Sequence, residues 1–193
     1  MQEIEDNRLW REARAARAEA KLLAWVTKPK PFKIIDEVID WLRRIDGGCG
    51  SATRCPFLVL DGDSRMGKTR FACSLFGSAF TLVLNYQGVA APNLKGFRRG
   101  VHKCIVMDEA GHEMVHANKQ IFQASLDHVT LGQSTCNEHA YQVCLYETPI
   151  IVSTNDWLLN AIDERRAWIA TNSVYYRVQE KLFVDDDVLM LEG

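Results

Sequence analysis

The hydrophobic period of the chain changes near residue 57. Before it, apolar positions recur at helical spacing. Leu9, Ala13, Ala16, Ala20 and Leu23 follow alternating steps of four and three inside an Ala-, Arg- and Glu-rich stretch, which predicts a helix over 3–26. This seam fits a helix lying against its own domain, with a contact between subunits as the alternative; it spans only about two heptads, short of a coiled coil. "KPKP" at 28–31 breaks the helix and reads as a short stiff linker. A second amphipathic helix follows, with Phe32, Ile35, Val38, Ile39 and Leu42 on one side, and the loop "GGCGSATR" ends it. Residues 1–46 are therefore expected to form an N-terminal helical segment for packing or oligomerisation.

From Phe57 onward, short buried runs alternate with helical ones. "FLVLD" at 57–61 predicts a buried strand, the stretch after Lys68 a helix, and "TLVLN" at 81–85 another strand. "KCIVMDEA" at 103–110 predicts a strand ending in two acids, and "HANKQIFQASL" at 116–126 a helix. "HVTLG" and "AYQVCLYE" read as a hairpin pair, and "PIIVSTN" at 149–155 as a further strand. Strand and helix in turn predict an α/β domain over 55–184 with a mostly parallel, helix-covered sheet, followed by an acidic tail over 185–193.

Composition narrows the classes. With 193 residues, 47% of them apolar, the chain has enough material for one domain with a real core. A net charge of −2 excludes a protein that coats duplex nucleic acid by bulk charge. No run approaches the roughly 20 apolar residues of a membrane span, and "MQEIEDNRLW" is acidic and polar where a signal peptide is basic and then apolar. The expectation is an intracellular protein, cytoplasmic or nuclear, with no membrane partner and with its six cysteines reduced. Cys73 and Cys104 sit in apolar contexts and Cys144 in a strand-like run; Cys49 and Cys55 offer half a zinc site, with no second pair at matching spacing.

The chemistry concentrates at "GDSRMGKT": Gly62, Asp63, Ser64, Arg65, Met66, Gly67, Lys68 and Thr69. Glycines at these positions let backbone N–H groups turn inward around phosphates, and the following helix adds the positive end of its dipole. Lys68 would reach the β- and γ-phosphates of ATP, and Thr69 would hold Mg²⁺. An apolar strand before and a helix after supply the context such a loop requires. Hydrolysis then needs an acid on a neighbouring strand for the metal and a residue to orient water. Asp108 fits the first role and Glu109 the second, at the carboxyl end of a predicted strand. The strand "PIIVSTN" can place the Asn155 amide beside the γ-phosphate, the plainer alternative being an Asx cap on the helix after it.

A rival motif, "HEMVH", places His112 and His116 one helical turn apart with Glu113 between them, as in zinc proteases. It lacks its third ligand: Lys119 and Phe122 stand where one family pattern needs Gly and His, and Glu138 falls in the predicted hairpin. A zinc protease would also leave the glycine loop and Asn155 unexplained.

The ordered set resembles the superfamily 3 helicases, and "GDSRMGKTRFACSLFG" is similar to the phosphate loop of geminivirus-type Rep proteins. The likeness covers roughly Phe57 to Arg166, about three-fifths of the chain. It implies an ATP- and Mg²⁺-dependent ATPase that assembles as a homo-oligomeric ring, commonly a hexamer, and pulls single-stranded nucleic acid through its centre. It also implies an arginine reaching the neighbouring subunit's site; Arg165 and Arg166 are equal candidates, with a helix-surface role in "DERR" as the alternative. Nucleic-acid contacts are expected on the hairpin at 132–141, which here offers His139 and Tyr141 but no lysine or arginine. A basic stretch lies instead at 85–103, where Lys95, Arg98, Arg99 and Lys103 interleave with Tyr86 and Phe97, suiting either single-strand contact or an ordinary solvated loop. The first 55 residues hold no histidine or tyrosine, so the nicking endonuclease chemistry of replication initiators is not expected. The chain reads as a free-standing ATPase or one that lost its nuclease. The runner-up function is an ATP-binding module that signals or scaffolds without translocating, with a small P-loop kinase more remote.

Overall fold

A computed structural model of the chain describes residues 32–46, 54–85, 88–132, 140–155, 157 and 163–184, the side chains of 163–166 excepted. The helix expected over 3–26, the linker at 28–31, the tip of the hairpin with His139, and the tail at 185–193 lie outside them.

The fold is α/β, built on a five-stranded parallel sheet. Its strands are β1 (Phe57–Gly62), β2 (Thr81–Asn85), β3 (Cys104–Asp108), β6 (Ile150–Thr154) and β7 (Ser173–Val178), in the order β2-β3-β6-β1-β7. β4 (Val129–Leu131) and β5 (Tyr141–Val143) form a separate antiparallel pair, where the hairpin was expected. Every residue of β1 and β6 is buried, which is why these strands read as unbroken apolar runs. The edge strand β7 was not anticipated, although "SVYYRV" is rich in aromatic and β-branched residues. It follows a helix without a turn signal, and its half-buried pattern hides it.

The helices are α1 (Asp36–Asp46), α2 (Lys68–Phe76), α3 (His112–Ala117), α4 (Lys119–Phe122) and α5 (Asp163–Asn172). The single helix expected at 116–126 is instead two short ones that meet at Asn118. There the side-chain amide donates to Met114 O (2.8 Å) and Val89 O (3.1 Å), competing with a continuous helical ladder.

Connection handedness fixes what each face carries. The chain leaves β1 for the far edge, steps back through β3 and β6, and then crosses β1 to reach β7. Right-handed crossovers therefore put α2 on one face and α3 to α5 on the other. Side chains agree. Phe57, Val59, Ile105, Met107, Ile150 and Val152 enter the core with Met114, Phe122 and Ile169, while Thr69 at the start of α2 meets Asp108 and Ser153 from the opposite face. Connections diverge between β1 and β6, and the crevice at their carboxyl ends is where such sheets bind ligands.

Among the described residues, α1 packs against the sheet domain, lying on β7. The cause is Trp41, fully buried, its Nε1 donating to Pro56 O (2.7 Å) and its ring edge-on to Phe76 (6.2 Å). Cys73, Cys104 and Cys144 are free thiols, and burial pushes Cys73 up to about 11. Cys55 is disulfide-bonded, which departs from the expectation of a fully reduced set. Among the described residues no helix is long and apolar enough to cross a membrane.

Trp41→Ala is expected to lower the unfolding free energy by about 3–5 kcal/mol in urea denaturation. An unchanged midpoint would show that α1 is a dispensable appendage after all.

Candidate functional site

β1 runs buried to Gly62, and the chain turns through 63–67 before α2 begins at Lys68. Two glycines make the turn possible for different reasons. At Gly62 a Cβ would run into the carbonyl oxygen of Val178, because β7 lies against it in register. Gly67 has φ +89°, a left-handed conformation, and a Cβ there would stand 2.6 Å from Cζ of Phe183. The loop is thus seated on the segment that follows β7. Leu182 N–H donates to Met66 O (2.9 Å), and the Phe183 ring under Gly67 is propped by Phe32 (5.5 Å between centroids). Nothing in the sequence pattern marks Phe183 for this task.

Lys68 points back into the turn and uses all three ammonium protons. It donates to Gly62 O (2.8 Å), Asp63 O (2.8 Å) and Asn155 Oδ1 (2.9 Å). Burial lowers its pKa from the ordinary lysine value, against opposing pulls from Asp108, Asp61 and Asp63. Beside it, the Thr69 hydroxyl donates to Asp108 Oδ1 (2.7 Å) and lies 3.5 Å from Ser153 Oγ. Registers explain the meeting: Leu60 pairs with Ser153, and Ser153 with Asp108, so three strands present one row to the start of α2.

The acid-bearing strand is not beside β1, as the sequence reading expected. β6 is inserted between β1 and β3. The insertion brings Asn155 directly to Lys68, while Asp108 is reached through Thr69. Glu109 adopts φ +61°, a left-handed turn off the strand that costs on the order of 1 kcal/mol. Its N–H donates to Ser153 O (2.7 Å), which holds that turn, and Glu109 joins the wall of the cleft. The cleft measures about 330 Å³ and is lined by Ser64, Arg65, Gly67, Lys68, Thr69, Asp108, Glu109, Ser153 and Asn155, and also by Arg70, which sequence reasoning passed over. Its signal was only a cation one position past the loop.

Asp61 supports the loop from behind. It is 2% exposed, its Oδ2 accepts from the Tyr175 hydroxyl (2.8 Å) and from Arg177, and its Oδ1 is buried without a partner. The carboxylate raises the pKa of Arg177 by hydrogen bond and charge, and it adds to the effect of burial on Tyr175. It ties β1 to β7 just before the turn.

The remaining predicted residues separate. Asp63 is exposed and Met66 half-buried, and each contributes a backbone carbonyl to the loop's hydrogen bonds. Arg165 and Arg166 lie on α5, with side chains outside the described residues. Lys95, Arg98, Arg99, Lys103 and Tyr141 are not among the residues lining the cleft. In "HEMVH", His112 is buried with its Nε2 unpartnered and His116 is half-buried. Among the described residues no three His, Cys, Asp or Glu side chains gather as a metal-ligand group. Thr69 and Asp108 nevertheless offer two hard oxygen donors beside open space for waters, a set that suits Mg²⁺ better than zinc.

Gly67→Ala is expected to lower the unfolding free energy by about 1 kcal/mol or more, through its φ and the Phe183 ring. Adding Phe183→Ala should leave less than the sum of the two single losses in urea denaturation. Strictly additive losses would mean that the ring does not press on the loop. Compared with known proteins, the chain matches no family model and no curated protein.

Proposed function

We propose that this chain is an Mg²⁺-dependent ATPase with a P-loop NTPase fold that acts on single-stranded nucleic acid as a homo-oligomeric ring. The observation that carries the proposal is the hydrogen-bonded set at the cleft. Lys68 contacts Asn155, 87 positions away, and Thr69 contacts Asp108, 39 positions away. Nucleotide chemistry needs these residue types together, and an Asx cap at Asn155 gives no reason for it to meet Lys68.

In this mechanism the inward N–H groups of 63–67 and the amino end of α2 hold the phosphates. Lys68 exchanges its contacts with the loop carbonyls for β- and γ-phosphate oxygens. Thr69 and Asp108 are the residues that would hold Mg²⁺, which supplies charge neutralisation at those phosphates. Glu109 orients the attacking water and takes its proton. Asn155, bonded to Lys68 in the free site, reports whether the γ-phosphate is present. Arg165 and Arg166 on α5 are assigned to the neighbouring subunit's cleft, following the superfamily 3 resemblance, in which rings are commonly hexamers. A second reading, an ATP-binding module that does not translocate, is favoured by one fact: the hairpin at 132–141 has no lysine or arginine.

Steady-state hydrolysis by the wild type should rise with single-stranded DNA and vanish in Lys68→Ala. ATP binding with no response to DNA would replace the motor with the module. Glu109→Gln is expected to cut kcat by about 10²-fold or more while ATP still binds. A loss of binding equal to the loss of rate would remove Glu109 from the water-orienting role.

Lys68 also gives a pH dependence with a definite sign. Its pKa is lowered in the free site and restored upward by phosphate, so above that lowered value ATP must bring a proton with it. ATP affinity should therefore fall as pH rises through the window below 10.5. A titration flat across alkaline pH would show that the Lys68 charge is not what phosphate meets.

A further inference from the structure

The loop at 88–103 contains Lys95, Arg98, Arg99 and Lys103 and no acid. All four are exposed, and among the described residues none of them is in an ion pair. Three are held over aromatic rings instead. Lys95 lies over Tyr141 (5.5 Å to the centroid), Arg99 over Tyr146 (5.9 Å) and Lys103 over Phe80 (4.9 Å). A ring attracts a cation without neutralising it, and the acid beside this row is Glu147, whose carboxylate is engaged by the Tyr146 hydroxyl.

The loop is also held in shape. Leu94 is fully buried and its N–H donates to the Tyr141 hydroxyl (2.7 Å), Arg98 N–H donates to His102 Nδ1 (2.9 Å), and Lys103 N–H donates to Phe80 O (2.7 Å). A preorganised row of cations and rings loses little freedom when a ligand settles on it.

Its position follows from the topology. Lys103 immediately precedes β3, Phe80 immediately precedes β2, and Tyr146 lies four residues before β6, all three strands being parallel. That end of the row therefore sits at the amino edge of the sheet, while Lys68, Asp108 and Asn155 gather at the carboxyl edge. The length of β3 alone separates the two by roughly 13 Å or more.

We infer that Lys95, Arg98, Arg99 and Lys103, with Phe80 and Tyr146, form the track on which a single-stranded nucleic acid lies, at the edge of the sheet opposite the phosphate cleft. This rests on the reading that the chain acts on single strands, and it moves the contact from the hairpin tip to this loop. Cations at intervals meet backbone phosphates, and exposed ring faces take bases without sequence preference. Phe80, 45% exposed, is the most open of those rings.

The test is fluorescence anisotropy of labelled oligo(dT), with oligo(U) beside it, on the full chain across a series of NaCl concentrations. Four phosphate contacts predict a slope of log K against log [salt] of about −2.8, falling to about −1.4 in Arg98→Ala/Arg99→Ala. Phe80→Ala should weaken binding roughly fivefold or more with the slope unchanged, which separates stacking from charge. Thermal unfolding confirms that each variant is folded. Wild-type binding that none of these variants alters overturns the track and leaves single-strand action standing. No wild-type binding of either oligonucleotide overturns both. Binding that depends on the arginines in a chain that hydrolyses no ATP supports the track and removes the ATPase.

Discussion

The cleft depends on the parallel pairing of β6 with β1. This pairing sets Ser153 beside Leu60 and Thr154 beside Asp61, so the chain leaving β6 emerges next to the chain leaving β1. Asn155 and Lys68 can then share a hydrogen bond although 87 positions separate them. The pairing of β6 with β3 does the same on its other side, placing Asp108 level with Ser153. One inserted strand thus brings three distant segments to a single point. A slip of one residue in either register would turn Ser153 or Asp108 to the opposite face and break the row.

Energetics favour such a site only because its supports are buried and its polar groups are paired. Moving the Lys68 ammonium out of water is costly unless all its protons find acceptors, and here two backbone carbonyls and one amide oxygen provide them. The burial that lowers its pKa is the cost those three acceptors offset. Behind the loop, Asp61 with Tyr175 and Arg177 fixes the end of β1, and Phe183 fixes Gly67 from below. The loop holds its shape before any ligand arrives, which reduces the ordering that binding must cost.

Local sequence carried the elements whose cause is local. β1, β3 and β6 announced themselves as unbroken apolar runs, and the turn at 62–69 by its glycine spacing. Asp108, Glu109 and Asn155 were legible only beside the glycine loop, because polar residues at the ends of buried strands otherwise read as caps. Strand order was not legible, since nothing in "PIIVSTN" says that it pairs between the other two. β7 was missed because its half-exposed alternation blends with its surroundings. Phe183 was invisible for a stronger reason: its task exists only where the segment after β7 passes under Gly67. The membership of α1 in the main unit turned on Trp41, whose indole finds Pro56 across 15 positions.

β3 and β6 each have one end at the cleft and the other at the basic row. Lys103 and Asp108 bracket β3, and Tyr146 and Asn155 bracket β6. Both strands are central and packed on their two faces, so neither can slide against its neighbours without breaking a full ladder of hydrogen bonds. What is free to move between the edges is therefore the whole sheet, tilting rigidly, or the connections that leave its ends. The connection after β3 is the softer route, because α3 and α4 are short and joined at Asn118, whose amide also holds Val89 at the start of the basic loop. The packed route from the end of β3 to the loop is therefore α3, Asn118 and Val89, and it does not require the sheet to deform.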